Sequence, residues 1–109
     1  MIRRATQQDI AAIRTLIQSI PGIWHESWRS DVLERGIAAA DGLAFVWEEG
    51  TQIVGFVCAH DVGFHGHASL LVVASHTRGK GIEKRLVEHV QNELVERGCL
   101  LLLNADVWE

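Results

Sequence analysis

The sequence LLVVASHTRGKGIEKRL, from Leu70 to Leu86, joins an apolar run, a glycine-containing turn and the start of a helical pattern. The apolar run ends at Ala74, and Arg78-Gly79-Lys80-Gly81 precedes the helical pattern. Glycines let a backbone approach an anion closely, and the free N–H groups and dipole of a helix N-terminus attract negative charge. The stretch therefore predicts a strand, a pyrophosphate-binding turn and a helix, and with them a cofactor that carries a nucleotide.

Two other phosphate-binding motifs do not fit this turn. A Walker loop requires Gly-x-x-x-x-Gly-Lys followed by Ser or Thr, but position 74 is Ala and Gly81 follows Lys80. A dinucleotide fingerprint requires Gly-x-Gly-x-x-Gly, and Lys84 stands where the third glycine would be. Neither an ATPase loop nor a dinucleotide-binding fold is indicated.

Length and composition predict one small folded domain over residues 1–109. The chain is 48% hydrophobic and 22% charged, with one proline and a formal net charge of −4. This acidic balance argues against nucleic-acid binding, and we expect no membrane segment because no apolar run approaches spanning length.

Cys58 and Cys99 lie in apolar runs without metal-ligand spacing, which indicates buried thiols in a reducing compartment. We therefore expect a cytoplasmic protein.

Hydrophobic periodicity predicts the element order β-α-α-β-β-β-α-β, an α+β (mixed α/β) class with a central mixed sheet flanked by helices. The predicted ranges are strand 2–5, helices 7–19 and 30–40, strands 43–48, 52–61 and 67–74, helix 81–97 and strand 99–104. Thr6 and Asp9 are close to a capping box, and Ser30 is the expected cap of the second helix. The last strand–helix–strand unit should be a right-handed crossover with parallel strands.

This order, taken with the turn, resembles the GNAT family of N-acyltransferases. The family marks its acetyl-CoA site with an L-x-V-like triplet, here Leu71-Val72-Val73, and then Arg or Gln-x-x-Gly-x-Gly or Ala, here beginning at Arg78. The opening stretch 2–10 also looks like the family's usual start. The resemblance implies a GNAT-like acyl-CoA N-acyltransferase fold over the whole chain. It also implies acetyl transfer from acetyl-CoA to an amine of a small molecule or protein by direct attack.

The resemblance further implies how acetyl-CoA is held. The central strand would splay from the strand after the helix, and pantetheine amides would pair with its free edge at Leu71, Val72 and Val73. The N–H of Val73 would stabilise the oxyanion. The segment that would wrap the pyrophosphate consists of Gly79, Lys80, Gly81, Ile82, Glu83 and Lys84. Arg78 and Lys80 could add charge for the phosphates, although each could equally be a solvated surface residue.

The sequence departs from the family pattern in two places. Glu83 stands where the family has its last Gly or Ala; it suits the helix dipole but brings a carboxylate near two phosphates, so we expect weaker cofactor binding. Family members also usually continue further, and that region commonly supplies a tyrosine that protonates the departing thiolate. This chain is C-terminally short by that comparison and contains no tyrosine. An alternative is therefore a catalytically weak or inactive acyl-CoA-binding or dimerisation module.

The last predicted strand is the expected site of self-association. Residues 99–103 are apolar and would lie at or near an exposed sheet edge. Such an edge pairs readily with another chain. We therefore expect a homodimer formed through the C-terminal strand.

Amine acetylation is helped by a base with a pKa near the working pH. Three histidines, His60, His65 and His67, cluster beside Asp61. His67 is our first choice of catalytic base because some family members place a glutamate near this position, and Asp61 and His65 follow. A loop rich in histidine can also have no catalytic role. His65-x-His67 could chelate a metal, but no third ligand is evident, so no metal site is predicted.

Trp24, His25 and Trp28 form the segment that often borders the acceptor in this family. Core packing is the other interpretation of the two tryptophans. The sequence leaves both open, and it does not identify the acceptor.

Overall fold

The computed structural model describes residues 1–99, 102–103 and 107–108. Its helices are α1 (Ile10–Gln18), α2 (Val32–Ala40) and α3 (Ile82–Glu96), and short 3-10 turns cover Gln7–Asp9 and Ser75–Thr77. Its strands are β1 (Ile2–Arg4), β2 (Ala44–Glu49), β3 (Gln52–Asp61), β4 (Gly66–Val73), β5 (Leu102–Leu103) and β6 (Val107–Trp108). The parts of the predicted last strand at 100–101 and 104 lie outside the described residues.

The strands form one mixed sheet in the order β1-β2-β3-β4-β5. The pairs from β1 to β4 are antiparallel, whereas β5 and β6 both run parallel to β4. The predicted α+β class with a central mixed sheet is confirmed, and so is the parallel pairing across the α3 connection. Gly66 pairs with Leu102 and Leu71 pairs with Val107, at the same offset in residue number.

The first helix begins as the sequence predicts. The Thr6 N–H donates to Oδ2 of Asp9 over 2.8 Å, and the Thr6 hydroxyl accepts from the Gln8 N–H, so the capping box is present. Ser30 does not cap α2, and this prediction is wrong. Instead the Val32 N–H donates to the carbonyl of Arg29 in a tight turn, and the helix begins one residue after Asp31.

The sheet has a helix layer on each face, and β3 lies against both layers. A Cβ built on Gly55 would lie 3.2 Å from side-chain atoms of Ile82 and Leu86, so this residue faces α3. Two residues on the other face, Cys58 and His60, reach the carbonyl of Gly36 in α2. Side chains alternate between faces along a strand, as this arrangement requires. The buried core is continuous across all three helices and strands β2 to β4.

A β-bulge interrupts β4 where that strand faces α2. Leu70 lies opposite Cys58 and Ala68 lies opposite Ala59, so Ser69 is the extra residue. The bulge changes the alternation of β4 and turns both Ser69 and Leu70 toward the α2 side. This local irregularity shapes the cavity described next.

Candidate functional site

A cavity of about 250 Å³ lies between α2, the loop that precedes it, and strands β3 and β4. Its lining residues are Ile23, His25, Trp28, Val32, Leu33, Gly36, Ile37, Phe56, Cys58, Ser69 and Leu70. The lining is mainly apolar with a few polar groups, which is the usual composition of a small-molecule site. The structure thus brings His25 and Trp28 to this cavity, while Trp24 packs edge-on against Trp28 with ring centroids 5.2 Å apart.

A chain of hydrogen bonds runs along one wall of the cavity. The Ser69 hydroxyl lies 3.1 Å from the carbonyl oxygen of Cys58 and 3.3 Å from Nδ1 of His60. Nε2 of His60 lies 3.3 Å from the carbonyl oxygen of Gly36. The sequence pattern does not indicate Ser69 and shows His60 only as one member of a histidine cluster, because their contact depends on the bulge in β4.

The thiol of Cys58 is a poor nucleophile in this environment. Burial raises its pKa to about 11, more than a hydrogen bond with Ser69 lowers it. A thiol with this pKa stays protonated at neutral pH, and only the thiolate reacts readily. Cys58 therefore acts as a small apolar wall of the cavity.

The two predicted catalytic residues lie on opposite faces of the sheet. His67 pairs across the strands with His60, so it shares the α2 side, and it is exposed. Asp61 instead accepts hydrogen bonds from the Gly63 N–H (2.8 Å) and the Cys99 thiol (3.1 Å). Both hydrogen bonds lower the pKa of Asp61, and the bond from the Gly63 N–H has the larger effect. The structure brings His67 near His60 and does not bring Asp61 to either histidine's face.

The turn between β4 and α3 presents an open backbone. Thr77 is fully buried and its hydroxyl donates to the Ala74 carbonyl over 2.8 Å, which fixes the start of the turn. Gly79 and Gly81 have φ values of +84° and +76°, a region that glycine adopts without strain. A Cβ on either glycine would meet no atom within 4 Å, and no side chain of the described residues caps the α3 N-terminus at Gly81. Within the described residues, the start of α3 therefore has no side-chain hydrogen bond from its cap residue.

Charged side chains of both signs surround this turn. Arg78 and Lys80 are exposed on it. Lys84 lies 3.9 Å from the carboxylate of Glu88 one turn further along α3. Glu83 is half-buried in the first turn of the helix. The predicted pyrophosphate-binding turn therefore has Arg78 and Lys80 at the surface. Glu83, the one carboxylate in the segment 79–84, lies close to them in sequence.

The edge of β4 that faces away from β3 is covered by β6. The Ala74 N–H donates to the Val54 carbonyl of β3 over 2.8 Å. Because successive N–H groups along a strand point to opposite edges, the Val73 N–H is directed toward the β6 side. On that side Leu71 pairs with Val107 and Val72 pairs with Trp108. The free, splayed edge implied by the family resemblance is thus occupied at Leu71 and Val72 in this structure.

A wider cavity of about 560 Å³ adjoins the beginning of the turn. It lies between α1, the β2–β3 hairpin and the segment from Ala74 to His76. The hydroxyls of Thr15, Ser19 and Ser75 are on its lining residues. Open space with hydroxyl groups therefore lies on the α1 side of the turn.

Within the described ranges, no group of three or more His, Cys, Asp or Glu residues is arranged to hold a metal ion. None of the described helices is long and apolar enough to cross a membrane.

The sequence matches the model of the acetyltransferase (GNAT) family over residues 10–108. The chain therefore belongs to the GNAT family, and the predicted family and fold are confirmed. No curated protein matches the sequence significantly.

Solved structures share this fold at low sequence identity. Ard1 from Thermoplasma volcanium has a TM-score of 0.78 and 16% identity, over 91% of this chain and 66% of that chain. An acetyltransferase from Vibrio fischeri has a TM-score of 0.76 and 21% identity, over 100% of this chain and 97% of that chain. A NatC complex bound to Gag peptide and CoA has a TM-score of 0.71 and 20% identity, over 91% of this chain and 69% of that chain. The chain spans about two thirds of the Ard1 and NatC chains and nearly all of the Vibrio fischeri chain.

Proposed function

We propose that the protein is an N-acetyltransferase that moves acetyl from acetyl-CoA to an amine of a small molecule or a protein. The observation that carries the proposal is the arrangement of β4. Ser69 and Leu70 line the cavity, and the strand ends at Val73, next to the open turn before α3. An amine held in the cavity and a thioester held at the end of β4 would meet along the same few residues.

The proposed cofactor contacts follow the exposed backbone groups. The N–H groups from Gly79 to Lys84 would bind the pyrophosphate, assisted by the dipole of α3 and by the charges of Arg78 and Lys80. The Val73 N–H would bind the thioester oxygen as it gains negative charge. Pantetheine would pair with Leu71 and Val72 once β6 moves from this edge. The CoA bound in the NatC complex supports the choice of cofactor.

The cavity suggests a class of acceptor. Its apolar walls from α2 and β3 would bury a small hydrocarbon group, while Ser69 offers a polar contact for the amine. We therefore propose a primary amine attached to a compact apolar group, free or as part of a peptide. The Gag peptide in the NatC complex supports a peptide as one option.

The proposed reaction is a direct attack by the deprotonated amine on the thioester carbonyl. Holding both reactants against β4 removes much of the entropic cost of their encounter. The departing thiolate has a pKa in the ordinary range for a thiol, roughly 8.5, so water can protonate it near neutral pH. The absence of tyrosine from the chain is compatible with this route.

A second function has its own supporting observation. Because β6 covers Leu71 and Val72, the protein could bind acyl-CoA weakly through the turn alone and catalyse no transfer. In that case it would be a GNAT-like binding or dimerisation module.

We further propose a single GNAT-like domain over residues 1–109, located in the cytoplasm. The continuous core supports one domain. Cys58 and Cys99 are free, buried thiols on opposite sides of the sheet, which supports a reducing compartment.

Calorimetry with acetyl-CoA and a thiol-release assay over a panel of amines separate these functions. We expect binding, release of thiol with some amines, and weaker binding by Gly81→Ala, because a Cβ strains a backbone at positive φ. Gly98→Ala is the matched control, since Gly98 has a φ of +85° and equal space but lies at the far end of α3. Binding without thiol release would favour the module. No binding at millimolar acetyl-CoA would contradict both functions.

A further inference from the structure

The wall of the cavity joins a lining hydroxyl, that of Ser69, to the imidazole ring of His60. We propose that Ser69 takes the proton of the attacking amine and passes its own to His60. Ser69 is then the catalytic residue, since it lines the cavity, and His60 is a positioning residue that receives the proton through it. This inference rests on the proposed function.

The bulge in β4 is what points Ser69 at the acceptor. As the extra residue opposite the Cys58–Ala59 step, its side chain lies on the cavity side beside Leu70. Bulges commonly redirect a side chain next to an active site. His60 lies behind Ser69, outside the lining, and is held on its other side by α2.

The hydrogen bonds define which nitrogen of His60 carries hydrogen. The Gly36 carbonyl can only accept, so Nε2 carries a hydrogen and Nδ1 of the neutral ring presents a lone pair to Ser69. The Ser69 hydroxyl has one hydrogen, which can be donated either to Nδ1 of His60 or to the Cys58 carbonyl. The other acceptor therefore receives no hydrogen bond from Ser69.

Protonation of His60 removes this conflict. With hydrogen on both ring nitrogens, Nδ1 donates to the Ser69 oxygen, the Ser69 hydroxyl donates to the Cys58 carbonyl, and Nε2 still donates to Gly36. Every polar group of the wall is then paired. The arrangement is therefore suited to accepting a proton from the cavity.

The amine nitrogen forms a bond to the thioester carbonyl carbon as the C=O π electrons move onto oxygen, and one N–H bond of the amine breaks as that proton moves to the Ser69 oxygen. The original Ser69 proton moves to Nδ1 of His60. The oxygen then re-forms the C=O bond, the C–S bond breaks, and the thiolate takes a proton from water. Release of the His60 proton to solvent restores the neutral pair.

Among the residues that the structure describes, three other titratable groups lie near this wall: His67, paired with His60 across the strands, Cys58 on the same strand, and His25 on the lining loop. The α2 residues that line the cavity are all uncharged. A change in the pH profile that follows substitution of His60, but not of His67, can thus be assigned to His60.

The test compares His60→Gln, Ser69→Ala and their double variant in the thiol-release assay, with acetyl-CoA affinity measured in parallel. Glutamine keeps an N–H donor for Gly36 but accepts no proton at neutral pH. We expect kcat to fall roughly 10²-fold in each variant, the usual contribution of a positioned base, with acetyl-CoA affinity unchanged. The double variant should lose no more than either single one, and Ser69→Thr should recover most of kcat. His60→Gln should also remove the acid limb of the pH profile.

Three outcomes would overturn the inference. If His60→Gln keeps kcat within threefold of the native chain and keeps its pH profile, the pair is structural while the proposed function stands. If His67→Gln shows the loss instead, the proton goes to His67. If the native chain binds acetyl-CoA but transfers acetyl to no amine, the inference and the proposed transferase activity fail together.

Discussion

Asp9 is a buried carboxylate that accepts several of the hydrogen bonds at the N-terminal end of the fold. Arg3 contacts it through two N–H···O bonds of 2.8 and 2.9 Å, and the Thr6 N–H donates to it over 2.8 Å. The hydrogen bond from Arg3 is the main reason that the pKa of Asp9 is lowered. This carboxylate joins β1 to the start of α1.

We expect Asp9→Asn to destabilise the fold by about 2 kcal/mol, because it breaks charge-assisted hydrogen bonds in a partly buried site. The effect should depend on pH. The lowered pKa means that the contribution is present above the unfolded value near 3.9 and is lost as pH falls through the folded value. Urea unfolding at pH 6 should therefore separate the variant from the native chain, and the difference should shrink below pH 4.

Asp31→Asn is the control for this prediction. Asp31 pairs with Arg29 over 3.3 Å, but their side chains are 45% and 72% exposed. Such surface pairs contribute little, so we expect a change within about 0.5 kcal/mol. Equal losses in the two variants would contradict the role assigned to Asp9.

Glu83 is the one carboxylate in the segment 79–84 that we propose to bind the pyrophosphate. We expect Glu83→Gln to bind acetyl-CoA about fivefold more tightly at low salt, because removing one charge near the phosphates is worth roughly 1 kcal/mol. The gain should shrink at high salt. Glu96→Gln, at the opposite end of α3, should leave the affinity unchanged in calorimetry. An unchanged affinity in Glu83→Gln would show that this carboxylate points away from the phosphates.

At the scale of elements, local patterns predicted most of the fold. The apolar spacing of Ile13, Leu16 and Ile17 places them in the core, and the predicted bounds of β3 are those observed. The predicted cap at Ser30 is wrong because Ser30 lies within the turn before α2, although serine is a common helix cap. The bulge at Ser69 could not be predicted, since it exists only in the pairing of β4 with β3. The candidate site depends on that bulge. The sequence pattern therefore predicts the turn at 78–81 but not the contact between Ser69 and His60.

The strand β6 pairs with the edge of β4 at which we propose that pantetheine binds. We expect Trp108→Pro to raise acetyl-CoA affinity about threefold to tenfold, because proline has no N–H to donate in the pairing of β6 with β4 and one such bond contributes about 1 kcal/mol. Leu102→Pro is the matched control: it disturbs the pairing at Gly66, at the other end of β4. Calorimetry of both variants tests this. Equal affinities would mean that pantetheine does not use the edge covered by β6.

At the scale of the whole molecule, the two ends of the sheet differ in chemistry. The β1 edge carries Arg3 and Arg4, and both pair with carboxylates of this chain. Charged side chains of this kind discourage pairing with another sheet. The opposite end of the strand order is β5, in a stretch where residues 100–103 are all leucine. We therefore propose that a second copy would add at the β5 side.

We expect the native chain to sediment as a dimer at high micromolar concentration, and Leu103→Lys to sediment as a monomer. A lysine on an edge strand places a charge where a second strand would have to pair, and so opposes strand pairing. Val95→Lys provides the comparison, since it adds the same charge at a position on α3 that is 65% exposed and away from the edge. A dimer that persists in Leu103→Lys but is lost in Val95→Lys would place the interface on α3. A native monomer at the highest soluble concentration would rule out self-association through either surface.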